Sequence, residues 1–163
     1  MATGEDLIRV LKYNSCFYGL NFDLFFIDEV KSLHVLNRPF AYIINTKLKR
    51  DRTTIVPGHW IMLFSSNDRE ILIYFDSLGQ KIPKRLEAVI SNSGLFKGVR
   101  YIKGPIQGRG SMVCGAYIIF CIYHLFCKKI SLAQFVELFS SNKTQNDKEI
   151  SLLYNKITRH DRN

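Results

Sequence analysis

Four residues of this chain, taken in their order, fit one piece of chemistry: His59, Asp76, Gln107 and Cys114. His59 stands in GHW, where a turn gives way to an apolar run. Asp76 closes the run EILIYF. Gln107 sits in the glycine-rich GPIQGRG, and Cys114 opens the apolar stretch CGAYIIFCIYHLFC. A carboxylate beside an imidazole fixes its tautomer and favours its charged form. A thiol at a helix start meets unpaired N–H groups and the positive end of the helix dipole, and an adjacent imidazolium activates it further. A Gln side-chain NH₂ just upstream, with the Cys114 backbone N–H, makes an oxyanion hole. The set therefore points to acyl transfer through a cysteine nucleophile. Each residue alone has an ordinary reading: a structural histidine, a turn aspartate, a loop glutamine, a core cysteine. The ordered combination is what favours catalysis.

The surrounding segments must bring the four together. HWIMLFSS and EILIYFDS, joined by SNDR, read as an antiparallel hairpin, so the start of one strand lies beside the end of the other and His59 neighbours Asp76. FAYIINT is a strand and KLKRDRTT a basic loop after it. GEDLIRVLK reads as a first helix with acids in its first turn. CFYGLNFDLFFID is expected to be an irregular aromatic turn. A helix follows Pro83, GVRYIKG is a short strand, and residues 114–127 form an apolar helix whose Cys121 and Cys127 are core residues. SLAQFVELF is a helix capped by Ser131, SSNKTQNDK a polar link, and EISLLYNKI a last helix. The expected fold is α+β: a small, mostly antiparallel central sheet flanked by helices, in one domain over residues 1–163, with the nucleophile at the N-terminus of a buried helix.

The blocks GHWIMLF, YFDSLG and QGRGSMVCG resemble the three motif blocks of the adenovirus endopeptidase (adenain) family, and more distantly the SUMO- and ubiquitin-like-protein proteases of the same clan. The start EDLIRVLKYNSCFYGLNFD, the strand AYIINT and the tail ISLLYNKITRH are also similar, so the resemblance spans nearly the whole chain. It implies Cys114 as nucleophile, His59 as base, Asp76 as orienting acid and Gln107 as oxyanion donor, with Trp60 and Gly115 supporting the site. It implies a viral endopeptidase that cuts structural precursors near Gly-containing sites during virion maturation, in the virion and host nucleus, with no cofactor required for the chemistry. Viral DNA and an activating viral peptide are the stimulators the family implies. No cysteine lies between Cys16 and Cys114 to tether such a peptide.

Bulk properties narrow the field. The apolar fraction of 47% excludes a disordered chain. No apolar run is long enough to span a bilayer, and MATGEDLIRVLK does not read as a signal peptide. A soluble, intracellular, reduced monomer is expected. A net charge of +9 fits a polyanion such as DNA, with Lys47, Lys49, Arg50 and Arg52 the best local cluster. His34 and His160 read as surface residues. Cys121, His124 and Cys127, with Cys16, form a weak alternative zinc set; no metal site is expected. Two further functions stay open: an isopeptidase removing ubiquitin or SUMO, and a non-catalytic nucleic-acid-binding module.

Overall fold

The computed structural model describes residues 2–33, 38–53, 58–66 and 70–160, without the side chains of 159 and 160. The expected reading of His34, the SNDR turn at 67–69 and the end of the basic tail lie outside these residues, as does the His160 side chain.

Strand β3 (Trp60–Ser65) organises the rest. Its run WIMLFS has no polar alternation because both faces are covered. Ile61 and Leu63 join one buried cluster, Met62 and Phe64 the other. It pairs antiparallel with β2 (Phe40–Asn45) and with β4 (Ile71–Phe75). Two outer strands complete the order β1-β2-β3-β4-β5, each parallel to its neighbour. The sheet is thus antiparallel at its centre and parallel at its edges. The parallel edge β4–β5 arises because helix α2 (Lys84–Ser93), with Pro83 at its N-cap, carries the chain back before β5 (Gly98–Arg100). Leu86 and Ile90 of α2 cover one face of the sheet.

The other face carries the remaining helices. Helix α1 (Gly4–Tyr13) starts with a capping box, Thr3 and Asp6 each bonding the other's backbone N–H, and buries Leu7, Val10 and Leu11. Helix α3 (Cys114–Ile122) is buried at every position but Phe120 and continues as a π-helical turn over Tyr123–Cys127. An apolar helix without a polar face belongs in the centre of a core. Helix α4 (Leu132–Val136) has the expected Ser131 cap, reciprocated by Gln134, but is shorter than its amphipathic pattern suggests. Helix α5 (Lys143–His160) completes the layer.

Three expectations need correction. Residues 21–26, read as an irregular turn, form strand β1 (Asn21–Phe26), paired in register with β2. The Gly19–Asn21 turn signal is real, with Gly19 at φ +88°, but it ends before the strand. The polar link 140–148 is helix from Lys143 onward: Asn142 Oδ1 accepts from Gln145 N at 3.1 Å, and α5 begins at Lys143. Cys127 is not only a core residue. It forms a disulfide with Cys16, tying the foot of α1 to the end of the α3 segment across 111 residues. Among the described residues no helix is long and apolar enough to cross a membrane.

Candidate active site

The hairpin brings His59 and Asp76 to the same end of the sheet. Met62 pairs with Phe75, so the residues preceding Met62 face those following Phe75. His59 is pinned at the mouth of β3 by two bonds to Thr46: its N–H donates to Thr46 Oγ1 at 3.1 Å, and its carbonyl accepts from Thr46 N at 2.9 Å. Its Nε2 lies 2.7 Å from Asp76 Oδ1. That oxygen also accepts from Leu78 N at 2.8 Å. The side chain of Asp76 is 2% exposed and that of His59 19%. The turn beyond Asp76 closes on Gly79 (φ +64°), where a Cβ would stand 2.5 Å from the Gly104 carbonyl carbon. Only glycine fits both demands.

Cys114 is the first residue of α3 and is buried, with 5% exposure. Its N–H has no carbonyl to bond within the helix. The imidazole of His59 lies close enough to Cys114 for the sulfur to raise its pKa. With Nε2 on Asp76, the other ring nitrogen, Nδ1, is the one left to serve Cys114. Burial alone would lower the basicity of His59, but the interactions with Asp76 and Cys114 outweigh it and raise the pKa to about 9. The arrangement holds a protonated imidazole between a carboxylate and a sulfur at neutral pH. By contrast, burial alone pushes the thiol of Cys121 well up, so that cysteine is inert.

The sign of the pH dependence follows. The folded pKa of His59 lies above its ordinary 6.5. Its stabilising contribution is complete below about pH 6.5 and is lost as pH rises through about 9. The proton available to a leaving amine is lost over the same range. Hydrolysis of an amide substrate is therefore expected to decline above about pH 9, with thermal stability falling in parallel. In His59→Gln the alkaline loss of stability should disappear, as measured by melting temperature across pH 6 to 10.

Gln107 is fully buried. Its loop is attached to the end of β4 by Ser77, whose carbonyl accepts from both Ile106 N and Gln107 N at 3.0 Å. The side-chain Oε1 accepts from Ser77 Oγ at 2.5 Å, and Nε2 donates to Ser111 O at 2.8 Å. Helix α5 holds the loop from the other side. Asp147 accepts from Gly108 N at 3.0 Å and from Tyr117 Oη at 2.9 Å, while Asn146 Nδ2 donates to Ile106 O at 3.1 Å. Burial first, then Asp147, raises the Tyr117 hydroxyl pKa, so it stays a neutral donor. Sequence reasoning missed Ser77, Asn146 and Asp147. The latter two lay in a segment read as a link.

Trp60 wedges between helix starts. A Cβ on Gly115 would lie 3.5 Å from its ring and 2.9 Å from Ala2 Cβ; one on Gly4 would lie 3.4 Å from the same indole. Gly115 therefore serves close packing of α3 against Ala2, Leu7 and Trp60. A cleft of about 610 Å³ is lined by Thr3, Glu5, Asn45, Lys47, Gly58 and Trp60 among others.

The expected basic cluster is divided. Lys49 lies 2.5 Å from Glu29, and Arg50 lies 3.8 Å from Asp51. Lys47 and Arg52 line the cleft beside Trp60. Of the alternative zinc set, Cys127 joins Cys16 and His124 Nδ1 bonds the Phe120 carbonyl at 2.8 Å. Among the described residues no three His, Cys, Asp or Glu side chains are grouped for a metal.

No family model matches this chain, and no curated protein matches it. Solved structures do. ChlaDub1 from Chlamydia trachomatis superposes with a TM-score of 0.56 at 16% identity, over 76% of this chain and 61% of that one. The Chlamydia trachomatis effector protein Cdu1, solved bound to ubiquitin, gives a TM-score of 0.56 at 13% identity, over 76% and 63%. The chain shares the fold of these two proteins. The ASFV pS273R protease also aligns, with a TM-score of 0.47 at 23% identity, over 73% and 42%. This chain spans less than two thirds of the length of each of these structures. At these identities the likeness concerns the fold.

Proposed function

We propose that the protein is a cysteine peptidase of the endopeptidase type, cutting extended polypeptides at Gly-containing sites. The observation that carries this is the Asp76–His59–Cys114 row: a 2.7 Å carboxylate–imidazole bond, an imidazole raised to about 9, and a thiol at a helix start. The shared fold supports it.

Cys114, as thiolate, attacks the scissile carbonyl carbon. The developing oxyanion is held by the Cys114 N–H and by the Gln107 NH₂ hydrogen left over from Ser111. His59 gives its proton to the leaving amine nitrogen, the C–N bond breaks, and a thioester remains. Water then attacks the thioester, giving its proton to His59, and the C–S bond breaks to return the thiolate. Asp76 holds His59 in the required tautomer throughout. No cofactor takes part. Virion maturation, with viral precursor polypeptides as substrates, is the setting the motif resemblance implies.

An isopeptidase acting on ubiquitin is the second reading, favoured by the likeness to Cdu1 bound to ubiquitin. Turnover of ubiquitin-aminomethylcoumarin, SUMO-aminomethylcoumarin and a panel of internally quenched peptides containing Gly-Gly separates them. The endopeptidase reading expects internal peptide cleavage at least tenfold faster, as kcat/KM, than either coumarin conjugate. The reverse order establishes the isopeptidase. The same assay with duplex DNA added measures any stimulation suggested by the +9 charge.

A further inference from the structure

Asp76 orients His59, and the very next residue contacts Gln107. We propose that Ser77 is a positioning residue: with the Ser111 carbonyl selecting the NH₂ end, its hydroxyl holds the other end of the Gln107 amide in place beside the nucleophile. This rests on the reading of Gln107 as oxyanion donor.

The two ends of a glutamine amide are nearly equal in shape and opposite in function. With NH₂ toward the scissile carbonyl, Gln107 stabilises an oxyanion. With Oε1 there, it repels one. Two partners, the buried Ser77 and the partly buried Ser111, decide between them. Ser111 O accepts only, and it lies 2.8 Å from one amide terminus, which must therefore be NH₂. The other terminus is then Oε1, and Ser77 Oγ, 2.5 Å away, must donate to it. One NH₂ hydrogen is committed to Ser111 O and the second is free for the substrate. The dipeptide Asp76-Ser77 thus sets the imidazole with one side chain and the oxyanion donor with the next.

The loop itself does not depend on the Ser77 hydroxyl. Its anchors are the Ser77 carbonyl, Asp147, which is itself held by the Tyr117 hydroxyl, and Asn146. Ser77→Ala removes the hydroxyl and keeps all of these.

The test compares two reactions of the same thiol. Alkylation by iodoacetamide displaces iodide from carbon and develops no oxyanion. Acylation by p-nitrophenyl acetate does: the Cys114 sulfur bonds the acetyl carbon, the ester C–O bond breaks, and p-nitrophenolate leaves. Ser77→Ala is expected to slow acylation of Cys114 by about tenfold, with the alkylation rate and its pH profile unchanged. Gln107→Ala should slow acylation about a hundredfold or more. The double variant should be no slower than Gln107→Ala, because an orienting residue has nothing left to orient. If Ser77→Ala acylates at the wild-type rate while Gln107→Ala is slow, Ser77 does not position the amide. If acylation and alkylation fall together in Ser77→Ala, or the double variant is additive, its role is structural and the proposal is overturned. If Gln107→Ala itself acylates normally, the oxyanion reading fails, a result distinct from either. Thermal unfolding of each variant identifies any loss due to misfolding.

Discussion

Cys114→Ala is expected to abolish peptide hydrolysis, by a factor on the order of 10⁴ or more, while the chain stays folded. The substitution acts separately on the chemistry and on the fold. The sulfur is the only atom in the site that can form the acyl intermediate, and neither His59 nor Gln107 can substitute for it. The structural cost is small. Alanine is the best helix former, and loss of one buried sulfur removes about 1 kcal/mol of packing. Cys114 also stands outside the disulfide, since Cys16 pairs with Cys127. Peptide turnover and thermal unfolding measured on the same preparation check both. Residual activity within tenfold of wild type would place the nucleophile elsewhere.

The second large effect is at Gln107. Gln107→Glu preserves shape and replaces a donor by an acceptor-only carboxylate. It loses the bond to Ser111 O, now faced by a second acceptor, and it opposes the oxyanion. A loss in kcat of roughly 10²–10³ is expected, with KM little changed, since removal of a single oxyanion donor costs about that much. Alkylation of Cys114 in Gln107→Ala should stay near the wild-type rate, because that reaction makes no oxyanion. An equal fall in alkylation would mean that Gln107 shapes the thiol environment, and would remove it from the oxyanion role.

Much of this was legible before the structure, for physical reasons that differ by element. The β3–β4 hairpin was readable because its apolar runs are long and bounded by polar turns, and its register brings His59 and Asp76 to the same end of the sheet. The α3 start was readable because Cys-Gly follows a glycine-rich loop and precedes an unbroken apolar run. Strand β1 was not. Its apolar residues are only partly buried, so alternation is weak, and its pairing to β2 is supplied by backbone bonds that side-chain pattern does not encode. The first two turns of α5 are polar outside and hold only Asn146 buried, so they read as linker. Yet Asn146 and Asp147, which hold the oxyanion loop, sit there. Gly115 was legible as a necessary glycine, but its reason is contact with Ala2 and Leu7, which lie more than 100 positions away in sequence. Ser77 carried no periodic signal at all; its role depends on a partner 30 residues on.

The central claim is that His59 and Cys114 act as one unit, and cysteine labelling tests it most directly. Native protein is treated briefly with iodoacetamide at pH 7 under conditions that keep the fold, and the modified cysteines are mapped by mass spectrometry, with His59→Ala alongside. The account predicts rapid modification of Cys114, none of the buried Cys121, and a large loss of Cys114 reactivity in His59→Ala. Cys114 reacting no faster than Cys121, or reacting equally well without His59, would contradict it.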